Sequence, residues 1–509
     1  MAVWWRLGCV AGWWLALSTT SALAALALDF QITLDDLPVA ADDPSASIGS
    51  NLAAISGDNA GSLYLGGGTT WSGPFFRHDG VGGLQPLLTK HTDGGDLVWA
   101  RPIYPTGSGQ VLQVEAAPGG AGVYVAGQRS LRDPNGQSPN DILPSTGFVG
   151  LWDADGREVW SLDVSGPADP GALFNDTVFD DVTVIAGGDV AVSGRVGSQA
   201  AVHRYDPTGV GGPVWGFPAG EAEFSRVYVV EPFDDGDLLL VGDFVPAGAD
   251  VLIGRGFAKR VSPTGEERWS LELPLASEST TPALSSSLFD GAVTSDGGAF
   301  LVGSSVVPGG TESATAVRFV RDGVVQWTRT LLDRGTTLYA TGGASDDFYV
   351  HGQQDFSGPA TVTRYNSAGV NLGQAVFDAS AGGSAAPFGY ASDVFVDDQG
   401  VAYAVGQSGE QWFVSVISGP LAGDFNLDGV VDAADYTIWR DFESVSGPNV
   451  PGDANGDGLV NAVDYAAWAD SYGQVRVSGA TPVPAPCALT IAVVAGAALG
   501  GRPGRRRRR

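Results

Sequence analysis

Between about Asp29 and Ser418 two short phrases alternate, and their recurrence restricts the fold more than any other feature of the chain. One is a Gly followed four residues later by Trp, at Gly95/Trp99, Gly156/Trp160, Gly211/Trp215, Gly265/Trp269 and Gly323/Trp327. The other is a short apolar strand ending on Gly. It occurs at Ser62–Gly66, Gly122–Gly127, Gly188–Gly194, Gly236–Gly242, Gly298–Gly303, Asp347–Gly352 and Gly400–Gly406. Copies recur at roughly 50–65 residues, each with about four alternating runs, which is the size of a four-stranded propeller blade. The count gives seven blades, with six or eight also compatible with the spacing.

The ends of this body suit a closed ring. It opens on Asn51–Gly66 with no Gly-x-x-x-Trp unit before it, and it finishes on Gln411–Ile417, a strand without its second. Joined, the two fragments would complete one blade and remove the exposed sheet edges. Gly373 stands where Trp is expected after Gly369, so the last full copy is degenerate. Because the five Trp recur at one blade position, they are expected to pack between neighbouring blades rather than to stack sugars. Asp180-Asp181, Asp234-Asp235 and Asp397-Asp398 precede strand or turn phrases and read as solvated acidic turns. The phrasing resembles bacterial propeller repeats of the SBBP and delta-sixty kind, where G-x-x-x-W and D-G-G-x-Y-V-x-G recur. That resemblance implies an all-β propeller for the span 25–418.

Beyond the body, two loops read almost as copies. The first runs Asp424-Phe-Asn426-Leu-Asp428-Gly-Val430-Val-Asp432-Ala433-Ala434-Asp435. The second runs Asp453-Ala-Asn455-Gly-Asp457-Gly-Leu459-Val-Asn461-Ala462-Val463-Asp464. Side-chain oxygens fall at positions 1, 3, 5, 9 and 12, a carbonyl at position 7 (Val430, Leu459), and Gly at position 6. This is the alternation of oxygen donors that a calcium ion requires. Tyr436 matches Tyr465 and Trp439 matches Trp468, so each loop should run into a helix with an aromatic inner face. Breaker-rich Ser418–Gly423 and Gly447–Gly452 precede the loops, so no helix is expected to lead into either.

A tandem pair of such loops, each followed by one helix and closed by Asp at position 12, resembles the dockerin type I domain. The resemblance covers 421–473 and implies two calcium ions and docking to a cohesin-type protein. Family recognition positions 10 and 11, often Ser or Thr, are here Ala433, Ala434, Ala462 and Val463, which suits a more apolar interface or an intramolecular role.

The remaining composition narrows the chemistry. Formal charge is −30 and only two lysines occur, Lys90 and Lys259, which speaks against a nucleic-acid surface. The two cysteines, Cys9 and Cys487, both lie outside the body, so it has neither a disulfide nor a thiolate zinc site. The four histidines, His78, His91, His203 and His351, share no metal-binding spacing. HExxH, GxSxG and phosphate-cradling Gly-Lys-Ser/Thr motifs are missing, while the abundant carboxylates leave a paired-carboxylate glycosidase open.

Residues 1–24 carry Arg6, an apolar run and Ala22-Leu-Ala24, the order of a secretory leader cut after Ala24 or, alternatively, after Ala27. At the other end a polar linker over 474–484 leads into an apolar, Arg-rich tail over 485–509. Its layout resembles the PEP-CTERM sorting signal of Gram-negative bacteria, although Val-Pro-Glu-Pro appears as Val483-Pro484-Ala485-Pro486. The alternative is a retained membrane anchor. Together these features read as an exported, non-catalytic, calcium-binding protein of the cell surface or extracellular space, with a dockerin-like module that docks a cohesin-type or other partner. Two rivals remain: a polysaccharide-active hydrolase or lyase with a catalytic propeller, and a surface adhesin or scaffold. A glycan ligand of the propeller fits either rival.

Overall fold

Runs such as Leu238-Leu-Leu-Val-Gly242 are apolar on both faces, so their strands must be covered on both sides, and only a stack of sheets supplies that cover. A computed structural model describes residues 27–33, 50–58, 60–69, 85–103, 108–130, 144–166, 175–218, 220–248, 254–273, 285–306, 313–332, 338–342, 347–353, 360–377, 389–397, 400–408, 411–418, 423–426, 430–447, 450–454 and 459–473. The leader, the 474–484 linker and the C-terminal tail lie outside the described residues. Seven four-stranded antiparallel sheets form, and the chain is a seven-bladed β-propeller. In blade order the innermost strands are Ser50–Gly57, Ser108–Ala117, Thr177–Val184, Ala222–Pro232, Ser285–Val293, Leu338–Gly342 and Gly389–Val396.

The core lies between blades rather than within them. Tyr64, Leu88 and Trp99 of blade 1 pack with Val123, Phe148 and Trp152 of blade 2. Phe300 stacks on Phe348 across blades 5 and 6 at 3.8 Å, and Phe377 on Phe413 across blades 6 and 7 at 4.6 Å. Leu52 and Leu65 of blade 1 pack with Val405 and Val414 of blade 7, so the ring is closed. Each such fully buried side chain contributes about 1.5–3 kcal/mol.

Ring closure differs from the expectation. Ser50–Pro102 is a complete blade by itself, with Trp99 on its outer strand Leu97–Pro102. The strand that completes blade 7 is Ala27–Thr33, antiparallel to Gln411–Ser418 with Ala27 opposite Ser418 and Thr33 opposite Phe413. A strand with no hairpin partner beside it in sequence carries no turn signal, which is why the repeat pattern passes over it.

The tryptophans do pack between blades, and the partner is specific. Four of the five face the turn before the outer strand of the next blade, at a glycine of positive φ, whereas Gly265 lies closest to the Val214 carbonyl beside Trp215. A Cβ on Gly156 would lie 3.1 Å from Trp99, one on Gly209 2.8 Å from Trp160, one on Gly323 3.1 Å from Trp269 and one on Gly369 2.9 Å from Trp327. In blade 3 the turn glycine is therefore Gly209, at φ 82°, and not Gly211, which sits inside the outer strand after a two-residue extension. Blade 6 carries Gly373 at the Trp position, and blade 7 has no hairpin turn there, because its outer strand arrives from the N-terminus. The ladder ends where the cover ends.

In the 423–473 segment two helices form, α1 (Ala433–Phe442) and α2 (Ala462–Ser471). No helix among the described residues is long and apolar enough to cross a membrane.

Candidate functional site

The two loops set up α1 and α2 by the same local device. Asp432 accepts the N–H of Ala434 at 2.7 Å, and Asp435 accepts that of Asp432 at 2.8 Å, a capping box at loop positions 9 and 12. Asn461 and Asp464 repeat it, accepting from Val463 and Asn461 at 2.7 Å each. The second oxygen of each position-12 carboxylate reaches back to the start of its loop. Asp435 accepts from Asn426 N–H at 3.0 Å and Asp464 from Ala454 N–H at 2.8 Å. Both carboxylates are fully buried and Asp424 is nearly so.

The halves are locked by reciprocal bonds offset by 29 residues. Trp439 Nε1 donates to Asn461 O at 2.8 Å, and Trp468 Nε1 donates to Asp432 O at 2.9 Å. Gly473 N–H donates to Val431 O and Ser444 N–H to Val460 O, both at 2.8 Å. Val431 and Val460, at position 8 of each loop, are fully buried, and Tyr436, Trp439, Tyr465 and Trp468 form one aromatic cluster. Asn426 is exposed, Val430 and Asp453 are half-buried, and Leu459 bridges Ser446. Asp428, Asn455 and Asp457 lie outside the described residues. Ala433, Ala434, Ala462 and Val463 are all exposed.

In kind the donors are the oxygen ligands a hard divalent cation takes, although among the described residues no three acidic or histidine side chains gather closely enough to hold one. Segment 423–473 contains one basic residue, Arg440, and it pairs with Asp441. A divalent cation would offset the cost of burying carboxylate charge at Asp424, Asp435 and Asp464. A carboxylate oxygen that accepts one N–H keeps a second lone pair for a metal. Asp424, Asn426, Asp432, Asp435 and the Val430 carbonyl would hold one calcium ion, and Asp453, Asn461, Asp464 and the Leu459 carbonyl a second.

A second concentration of chemistry lies in the propeller channel, a cavity of about 720 Å³. Six inner strands carry a bulge at one level, at Leu52/Ala54, Val111/Gln113, Phe179/Asp181, Val227/Val229, Leu288/Asp290 and Ala391/Asp393. The residue after the bulge is Asp in blades 3, 5 and 7. Each Asp takes the N–H of its own successor, Val182, Gly291 or Val394, at 2.7–2.8 Å. With its other oxygen each accepts an N–H of the next blade: Asp181 from Val230 at 2.8 Å, Asp290 from Ala340 and Asp393 from Ile55, both at 2.9 Å. Asp180-Asp181 is therefore not a solvated turn. Asp181 is 8% exposed, and Asp180 forms a double ion pair with Arg226, its Oδ2 at 2.6 Å from Nε. Asp234 and Asp235 are exposed turn residues as read, and Asp398 lies outside the described residues.

Burial pushes Glu115 up to about 8 and Asp181 and Asp393 up to about 7, with neighbouring carboxylates adding to the shift. Burial likewise raises Glu231 and Asp290 well above the usual carboxylate range. None of these five was singled out from sequence except Asp181. The signal was present as apolar-x-Asp/Gln-apolar (or Gly) in Val111–Val114, Phe179–Val182, Leu288–Gly291 and Ala391–Val394, and it needs the blades aligned to be seen.

No protein-family model matches the chain, and no curated protein matches it. Solved structures resemble the chain at low identity. A Chaetomium thermophilum Sqt1 structure is 12% identical, with 72% of this chain and 95% of that one covered and a TM-score of 0.43. The polysaccharide lyase Uly1 is 14% identical, with 72% and 89% covered and a TM-score of 0.45. Prolyl oligopeptidase B from Galerina marginata is 9% identical, with 70% and 47% covered and a TM-score of 0.39. At these identities and TM-scores the likeness is distant, and no activity carries over to this chain.

Proposed function

We propose that this is an exported, non-catalytic interaction protein in which two calcium ions order a small dockerin-like module that docks a protein partner, cohesin-type or other, at or outside the cell surface. The observation that supports it is the pair Asp435 and Asp464. Each is fully buried, and each ties the end of its loop to the beginning, so the loop and the helix after it order together. Calcium supplies the positive charge these acidic loops lack, and binding to the ordered form adds to its stability. Calcium titration of the full chain by calorimetry tests this. Two ions per chain are expected, with a gain of helix by circular dichroism, and both should disappear in Asp424→Ala/Asp453→Ala while the propeller's own melting is kept. Unchanged stoichiometry in the double variant would sink the assignment.

A second reading, glycan recognition by the propeller, has its own support. Tyr228, Phe289 and Tyr339, from three consecutive blades, line one side of the channel beside the Asp180–Arg226 pair. Aromatic faces with a few placed polar groups are what small-molecule clefts present. A catalytic role draws less support, since Asp181, Asp290 and Asp393 recur at one blade position and spend their oxygens on backbone N–H groups. Neutral oligosaccharide titration of wild type and Phe289→Ala decides: binding lost in the variant supports it, and no binding to wild type removes it.

A further inference from the structure

We propose, resting on the glycan reading of the propeller, that the channel takes an amino sugar oligomer, with its ammonium group at Glu231 and a sugar ring on Phe289. The backbone donors of the channel wall are already spent. At one level of the inner strands each blade has one N–H that a side chain accepts, at 2.7–2.9 Å. Asp181, Asp290 and Asp393 each accept one from their own blade and one from the next, and Gln113 accepts that of Val114 in blade 2. An anion held at such a ring would need those N–H groups, and all seven are occupied.

The basic groups of the wall are committed as well. Arg226 pairs with Asp180, and His351 is bonded to Thr341 and to the Ala391 carbonyl. Among the described residues that line the cavity, neither is left for a uronate or a sulfate ester. Acceptors do remain. Glu115 takes the Ser56 hydroxyl on one oxygen at 3.1 Å, and Glu231 takes no hydrogen bond among the described residues. Both are half-buried, so the cavity reaches them. Burial raises both above the ordinary carboxylate range. Each is thus an acid whose charged form lacks a partner, and an ammonium ion is the partner that stabilises that form.

The two contacts lie at different levels of the channel. The bulges leave Tyr228 in blade 4 and Phe289 in blade 5 without a cross-strand partner, at one level. Glu231 stands three residues beyond Tyr228, about 10 Å at the rise of a strand. Arg226 lies over the Tyr228 ring at 5.1 Å, whereas Phe289 has neither a ring nor a cation against it among the described residues. A ligand that stacks on Phe289 and reaches Glu231 is therefore elongated, as linked sugar rings are and a small amine is not. The cavity, at about 720 Å³, is of a size that holds such a molecule.

Calorimetric titration of the full chain with a glucosamine trisaccharide and with its N-acetylated counterpart is the test. The acetylated form is expected to bind through the aromatic face alone, and the free amine about tenfold more tightly at a single site. Glu231→Gln keeps the shape of a side chain that has no hydrogen bond to lose. It should remove most of the amine's advantage and leave the acetylated form unaffected, while Phe289→Ala should weaken both. The chain carries a formal charge of −30, so an advantage that survives Glu231→Gln is general attraction to an acidic protein and overturns the assignment. Equal binding of the two forms to wild type also overturns it but leaves the glycan reading standing. Binding of neither removes both.

Discussion

The indole N–H of Trp160 donates to the carbonyl oxygen of Pro207 at 3.0 Å, from the outer strand of blade 2 to the turn of blade 3. Trp99 makes the equivalent bond to Ala154 at 3.0 Å. Both acceptors are the second residue of a turn that begins on Asp and ends on Gly. Blade 5 shortens that turn to Asp322-Gly323, and Trp269, which packs on it, has a buried indole N–H with no partner among the described residues. Trp160→Phe is accordingly expected to cost more than Trp269→Phe, by about 1 kcal/mol or more, because the first breaks a bond and the second removes an orphaned donor. Chemical denaturation of the two variants side by side reads the difference. Equal costs would mean the N–H groups are immaterial.

Turn glycines answer two demands, which the outer-strand turn of blade 3 and the inner turn of blade 7 separate. Gly209 and Gly400 have nearly the same backbone, at φ 82° and 79°. A Cβ on Gly209 meets Trp160 at 2.8 Å, whereas one on Gly400 meets nothing within 4 Å. Gly400→Ala should cost about 1 kcal/mol for the left-handed backbone alone. Gly209→Ala should add about 1–3 kcal/mol of overpacking to the same term. Matched losses would show that the interblade contact yields freely.

Much of this was legible because the physics is periodic. Gly-x-x-x-Trp marks a turn and the residue that covers the next blade's turn, and the phrase recurs in five blades. The paired loops and their aromatic helices were legible for the same reason, through Tyr436/Tyr465 and Trp439/Trp468. Asp181 was misread because two adjacent acids in a period-2 pattern look like a turn. A bulge between Phe179 and Asp181 is what lets both stay inside a strand, and no local pattern announces it. Glu115 and Glu231 were invisible because their meaning lies in what faces them across the channel.

Ser444 offers a check on the two-fold character of the helical segment. It sits at φ 66°, and its counterpart 29 residues on, Gly473, at φ 85°. Both donate their N–H to the buried valine of the opposite loop. A serine in that conformation is strained where glycine is not, so Ser444→Gly should stabilise the segment by about 0.5–1 kcal/mol. Melting of the full chain followed by tryptophan fluorescence of Trp439 and Trp468 reports it. A destabilised variant would mean the serine side chain contributes something the backbone geometry does not reveal.

Ala27–Thr33 carries the heaviest expected consequence. It pairs six residues with Gln411–Ser418 and is the outer strand of the blade that closes the ring. Removing it bares the edge of a strand whose Phe413, Val414, Val416 and Ile417 are buried. Blade 7 would be left with three strands joined to blade 1 through side-chain packing, the Asp393–Ile55 bond and the bond from Ser392 Oγ to Leu52 O. At a net value near 1 kcal/mol per hydrogen bond, deletion of 27–33 should cost on the order of 5 kcal/mol. It should also make the chain associate through the open edge. Light scattering during a thermal ramp separates the two effects, and a synthetic peptide of residues 27–33 supplied in excess should restore part of the lost stability. A deletion that melts like the parent, as a monomer, would show that packing between blades 7 and 1 closes the ring without the strand.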